Sequence, residues 1–376
     1  MKIIHVTDTS IYNYDGISTY INELLLCSEQ QGHETLVLTT TPYGTNIREY
    51  GKSKTKIKIF PSVRFPGKPK FVTVFTFGMK KIIDDFNPDI VWIHSIGTPG
   101  MRAAKIADGK YRIIYTKHCF DGVLWNSYLN INPAFHWFFN FWAGKFENKI
   151  LRSADEVIYH LRDVSPVKNN KYFNKFIFSP PPLAAAFFEN KKDKTKVNGK
   201  LTLGFCGRCE PDKGLEDTLK GLQLFHEKHK DIELEFIMIG DGPEAHRLKD
   251  KYDFLKITIT GYINDVIPYL DKLDGFVLSS IHEMISLSSL EAYARGIPIF
   301  SVPIGYLQES SSTLNNFYLF ETHEQLAELV FKILVKQDIP VKTNSVNGLN
   351  SLVISYPDLY KSRASYPRSL KKASYS

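Results

Sequence analysis

Four cysteines in 376 residues are too few to staple a chain of this length, which excludes a disulfide scaffold. Two of them, Cys206 and Cys209, form a C-x-x-C in "GFCGRCEPDKG". A structural zinc needs about four ligands, and no second cysteine pair stands elsewhere. Cys206 closes an apolar run and reads as the end of a buried strand. Apolar runs long enough to cross a bilayer are also lacking. The opening "MKIIHVTDTS" turns polar within a few residues, unlike a signal peptide. A cytoplasmic location is therefore expected, with peripheral attachment to the membrane face as its extension. There is no Asp-x-Asp pair of the kind that holds a divalent cation, no fixed-period repeat, and no pattern calling for nucleic acid.

What is present is ordinary globular composition, 43% hydrophobic and 23% charged, in a chain too long for one core. At roughly 100–200 residues per domain, two domains are expected. Charge is uneven: residues 1–178 hold 23 Lys and Arg against 15 Asp and Glu, the remainder 24 against 25. Residues 48–81 carry ten basic residues and one acid, Glu49. That run reads either as a solvated face or as attraction to an anionic partner such as a membrane surface or an acidic polymer.

Short β-branched runs alternate with longer helical patterns. Strands are predicted at 2–6, 34–40, 56–60, 89–95, 112–118 and 156–160, and helices at 16–32, 71–86 and 134–151. A proline-rich then charged stretch, 179–200, reads as a linker. Strands resume at 201–207, 233–240, 256–260, 275–280 and 298–303, with helices at 215–229, 243–252 and 322–336. Such alternation predicts an α/β fold of two Rossmann-like, doubly wound parallel-sheet domains, 1–178 and 201–345, facing each other across a cleft. Residues 346–376 form a Ser/Tyr/Lys-rich terminal segment, read as returning to the first domain.

Four stretches carry chemistry. In "FCGRCEPDKGLEDTLKGL", a Gly-flanked loop joins a strand to a helix and holds Arg208 and Lys213, a planar fork and a point charge suited to phosphate oxygens. In "LSSIHEMISLSSLEAYARGIPIFSVP", Glu283 sits in the loop after a strand. A helix opens near Ser286 and Leu287, where free N–H groups make an anion site. Glu291 lies inside that helix. Taken alone it reads as a solvated face; beside the rest it reads as an acceptor for two ribose hydroxyls. In "DTSIYNYDGISTY", Gly16 lets backbone approach a phosphate or sugar. In "YTKHCFDG", His118 ends a strand.

Together these motifs resemble the retaining glycosyltransferases of family 4, which have the GT-B fold, from the first strand to about residue 336. "GRCEPDKG" is similar to the family's G-R-x-x-x-x-K-G loop, "IMIGDGPE" to its G-D-G-P turn, and "HEMISLSSLEA" to its pair of acids eight positions apart. The resemblance implies transfer of a hexose from a nucleotide sugar, UDP-hexose being the expected donor. No separate cofactor and no metal are implied. Domain 1–178 would bind the acceptor and 201–345 the nucleotide sugar. Arg208 and Lys213 would hold the diphosphate, Glu291 the ribose, Ser286 and Leu287 the anion at the helix start, and Glu283 the donor sugar. His118 would lie beside the hexose and Gly16 near the diphosphate. The pattern departs from the family at Met284, where glycine is usual, and at Ser286 and Ser288, where proline or glycine is common. These departures point to a reshaped sugar pocket.

The acceptor is expected to be a glycan, a lipid-linked sugar or an anionic polymer. "PAFHWFFNFWAGKF" (133–146) reads either as helix packed on the sheet or as an aromatic face in a membrane interface. A GT-B epimerase or a non-catalytic nucleotide-sugar binder are the other readings.

Overall fold

The computed structural model describes residues 1–42, 54–65, 68–118, 136–161, 163, 165–179, 181–189, 199–281, 283 and 285–336. They fall into two compact units, one ending at Pro182 and the other beginning at Leu183. Cys119, Met284, the start of the basic run and residues 346–376 lie outside the described residues.

The first unit is built on a seven-stranded parallel sheet: β1 (Lys2–Val6), β2 (Glu34–Thr40), β3 (Lys56–Phe60), β6 (Ile90–Ile93), β7 (Arg112–Thr116), β8 (Glu156–Tyr159) and β9 (Phe176–Phe178), in the spatial order β3-β2-β1-β6-β7-β8-β9. Both faces are covered, so the central strands are largely apolar rather than alternating. Ile3, Ile4 and Val6 of β1 and Val91 to Ile93 of β6 are all buried. Ile4 pairs with Leu36 on one side and Val91 on the other. The chain winds from β1 out to β3, then crosses to β6, so the strand order reverses between β1 and β6. Such a reversal opens a crevice at the strand carboxyl ends.

Helix α1 (Gly16–Gln30) starts where Asp15 accepts a hydrogen bond from the Ser18 N–H, a standard N-cap. It ends before Gly32, whose φ of 70° belongs to the left-handed region. One prediction fails here. Residues 71–86 were expected to be helical throughout, but 68–74 form β5, an antiparallel partner of β4 (Ser62–Phe65). The helix, α2 (Met79–Phe86), begins after Gly78 at φ 76°. "FVTV" alternates β-branched and aromatic residues, which suit a pleated strand. α3 (Thr98–Ala107) and α4 (His136–Ser153) are the unit's other α-helices among the described residues.

The second unit repeats the plan with six parallel strands: β10 (Lys200–Cys206), β11 (Glu233–Ile239), β12 (Lys256–Ile259), β13 (Gly275–Leu278), β14 (Ile299–Ser301) and β15 (Phe317–Leu319), ordered β12-β11-β10-β13-β14-β15. The reversal now falls between β10 and β13. Helix α5 (Leu215–Lys228) turns Leu215, Leu219, Leu222 and Phe225 inward, a spacing that keeps one face apolar. After α6 (Pro243–Lys251), α7 (Ile267–Leu270), α8 (Leu287–Ala294) and α9 (Gly305–Thr313) comes α10 (His323–Val330), opened by a capping box of Thr322 and Gln325. Within the expected linker, residues 185–188 form a turn of 3-10 helix. Buried Arg295 holds it, donating to the carbonyls of Ala186, Phe187 and Glu189 while pairing with Asp271 at 2.8 Å.

Candidate active site

In the second unit, glycines let three loops meet at the strand ends. A Cβ on Gly240 would lie 2.0 Å from the Gly207 carbonyl oxygen, and one on Gly214 would lie 2.0 Å from that of Ser279. Both positions have positive φ, 142° and 61°, so backbone geometry and close approach both require glycine. The loop after β10 is thereby fixed against those after β11 and β13. The Ile281 N–H donating to the Asp212 carbonyl at 2.9 Å, and the Thr218 and Ser279 hydroxyls 2.6 Å apart, complete the seam.

On this seam the structure gathers the residues predicted from the second half of the sequence. Lys213 Nζ donates to Glu283 Oε1 at 2.9 Å, with the two side chains 14% and 20% exposed. The sequence reading gives them separate tasks, on phosphate and on sugar; in the structure they pair with each other. Burial pushes the Glu283 carboxyl above its ordinary value, and Lys213 partly offsets this. Arg208 pairs with Glu210 at 2.5 Å. Ser286 caps α8, its hydroxyl accepting from the Ser289 N–H at 3.3 Å. Leu287 opens the helix, where first-turn N–H groups have no intrahelical partner. Glu291 is buried at 8% exposure, not a solvated face. It lies close enough to Cys206, at the end of β10, that its charge adds to the burial raising that thiol. Cys209 is buried too, its thiol pushed up to about 12 by burial. No group of metal ligands occurs among the described residues. Tyr262, which donates to the Asp241 carbonyl at 3.2 Å and feels the charge of Arg208, was missed. So was Glu210. Neither carried a motif signal.

In the first unit, Gly16 opens α1, and nothing among the described residues lies within 4 Å of the place its Cβ would take. The protein itself therefore makes no demand for glycine there. One turn later the Tyr20 ring meets His118 edge-on at 4.8 Å between centroids. His118 follows β7 as predicted, but it is not alone. His94, after β6, places Nδ1 3.4 Å from His118 Nε2 and Nε2 3.0 Å from His5 Nδ1. His160, after β8, reaches the Ser179 carbonyl through Nδ1 at 2.6 Å. Burial holds all four imidazoles neutral, taking His5 down to about 3 and His160 to about 4, and setting His94 and His118 well below their usual value. The four histidines lie far apart in sequence; parallel strands set them side by side. Asp8, beyond β1, is raised to about 6, chiefly by burial.

Each unit thus carries its candidate residues toward the carboxyl ends of its parallel strands. Residues 14–164 match the family model described as Glycosyltransferase Family 4, and residues 200–335 that described as Glycosyl transferases group 1. The chain belongs to these glycosyltransferases and has the GT-B type of fold. A 2-deoxystreptamine N-acetyl-D-glucosaminyltransferase of Niallia circulans is 33% identical over 118 residues, a match spanning 30% of this chain and 30% of that relative. Sucrose-phosphate synthase from Thermosynechococcus elongatus superposes with a TM-score of 0.71 at 14% identity, covering 96% of this chain and 98% of that one. The Anabaena protein HepE, in complex with UDP and glucose, superposes with a TM-score of 0.69 at 12% identity, covering 97% and 100%.

Proposed function

We propose that this glycosyltransferase moves a hexose from UDP-hexose to a glycan, lipid-linked or anionic polymer acceptor, keeping the anomeric configuration and using no metal ion. The observation that carries the reading is the Lys213–Glu283 pair at the strand-order reversal, with Arg208 and the start of α8 on the same seam. A bound diphosphate competes for Lys213. When the lysine turns to the phosphate oxygens, it releases a carboxylate for the donor sugar, so diphosphate binding and sugar contact are coupled. As the bond from the anomeric carbon to the diphosphate oxygen breaks, negative charge grows on the leaving group. Arg208, Lys213 and the helix N–H groups face that charge already positioned, which is often the largest catalytic contribution. Glu291 accepts from the ribose hydroxyls, and Gly16 admits the diphosphate close to backbone. His118 donates to the hexose. The Anabaena protein's complex with UDP and glucose supports the choice of donor.

The test is a panel of nucleotide sugars with the full chain, following nucleotide release and the anomeric configuration of the product by NMR. Release of UDP with an inverted product would refute retention. Binding without release from any donor would favour a non-catalytic binder.

A lipid-linked acceptor is supported by α4. Trp137, Phe141 and Trp142 are 70%, 52% and 42% exposed, and Lys145 lies 4.6 Å from the Phe141 ring centroid. Aromatics beside lysines suit an anionic interface. No helix among the described residues is long and apolar enough to cross a membrane; the attachment proposed here is peripheral, through the aromatic face of α4. Vesicles rich in anionic lipid should sediment the protein at low salt; no binding at low or high salt would remove this part.

A further inference from the structure

We propose that His5 and His94 are positioning residues that hold His118 as its Nδ1–H tautomer, so that it offers an N–H donor to an oxygen of the bound sugar. This rests on the reading of His118 as a donor-sugar contact.

The inference follows from counting protons along three neutral rings. His5 Nδ1 faces His94 Nε2 at 3.0 Å, and His94 Nδ1 faces His118 Nε2 at 3.4 Å. A neutral imidazole has one N–H and one lone pair, so each contact needs one of each. Two arrangements satisfy both contacts. In the first, every ring carries its proton on Nδ1 and donates toward His118. In the second, every ring carries it on Nε2 and donates toward His5. They differ at the ends of the chain. His5 Nε2 is buried and has no hydrogen-bond partner among the described residues. The first arrangement leaves a bare lone pair there; the second leaves a buried N–H with no acceptor among the described residues.

His160 shows which end state this fold accepts. Its Nδ1 lies 2.6 Å from the Ser179 carbonyl, which can only accept, so the proton is on Nδ1. Its Nε2 is likewise buried without a partner among the described residues. The cluster therefore already holds one ring with a bare buried Nε2, and His5 adopts the same form. Stacking of the His5, Trp92 and His94 rings, with centroids 5.3 to 5.8 Å apart and interplanar angles of 15° to 23°, keeps the nitrogens aligned. With Nε2 of His118 occupied by His94, Nδ1–H remains for the substrate. A hydroxyl or phosphate oxygen can accept from it.

The test is a long-range proton–nitrogen NMR spectrum of the full chain with nitrogen-15 histidine and no substrate, assigned with His118→Asn. The expected result is a protonated Nδ1 and a bare Nε2 on His118. A protonated Nε2 on His118 overturns the proposal. In His94→Phe, which keeps the ring packing, His118 should show both tautomers, and the rate at saturating donor should fall about tenfold, the size of one misdirected hydrogen bond. A His118 still wholly Nδ1–H in that variant also overturns it. If that variant does not fold, the wild-type spectrum still decides. Because the spectra are taken without donor, their outcome is separate from that of the transferase assay.

Discussion

Replacing Lys213 with methionine keeps most of the side-chain volume and removes the charge facing Glu283. At their separation of 2.9 Å and an effective dielectric constant of about 20, the Coulomb attraction is about 6 kcal/mol before the solvation of the two ions is set against it. Breaking a buried pair by removing one partner typically costs about 3–5 kcal/mol. These side chains are 14% and 20% exposed, so the lower end applies, about 3 kcal/mol. For a domain of this size that is a loss of about 5–10 °C in melting temperature. The pH dependence has a definite sign. The Glu283 carboxyl already sits above its ordinary value in the folded protein because it is buried, and losing Lys213 raises it further. A raised carboxyl binds more protons folded than unfolded, so its contribution to stability falls as pH rises from the ordinary carboxylate value toward the folded one. Wild type and Lys213→Met should therefore differ little below about pH 4, where Glu283 is protonated in both states, and differ most at pH 8. Thermal unfolding at the two pH values, with calorimetric titration of UDP, checks this. UDP affinity should drop about 10–100-fold, since a hydrogen bond to a charged group is worth about 1.5–3 kcal/mol. A variant that melts with wild type at pH 8 would refute the coupling of Lys213 to Glu283. One that binds UDP unchanged would refute the diphosphate assignment.

Gly16→Ala should leave the melting temperature unchanged or slightly higher, because its Cβ meets nothing among the described residues and alanine is the better helix former, by at most about 1 kcal/mol even in a helix interior. Donor turnover should nonetheless fall at least tenfold; unchanged turnover would remove Gly16 from the site. Gly240→Ala should instead destabilise by about 3 kcal/mol or more, read by urea unfolding, since its Cβ would meet the Gly207 carbonyl in a backbone conformation closed to alanine. The histidine cluster should make the first unit acid-sensitive. Each ring is held below its usual value by burial, so its contribution to stability is complete above about pH 6.5 and is lost below it, at about 1.4 kcal/mol per pH unit for each histidine. Melting curves between pH 7 and pH 5 read that slope, and His160→Gln should lower it by one histidine's share.

Much of this architecture was legible from local pattern. A buried parallel strand is mostly apolar and a covering helix is apolar on one face, so "KIIHV", "IVWI" and "ELEFIMI" announced themselves. The stretch 71–86 did not, because a short strand followed by a glycine and a helix keeps apolar residues at spacings a single helix also allows. The short strands β9 and β15 have three residues each, too few to show a period.

The sequence by itself determined the two wound sheets and the loops that carry charge, because hydrophobic period and turn residues act over neighbouring positions. It named Arg208, Lys213, Glu283 and Glu291 through their spacing within single loops and helices. Only the tertiary structure decided that Lys213 and Glu283 neutralise each other, that Glu291 is buried rather than solvated, and that His118 stands at the end of a row with His94 and His5. Those facts depend on which strands lie side by side. Strand order is set by packing and crossover handedness over the whole sheet, which no local stretch of residues encodes.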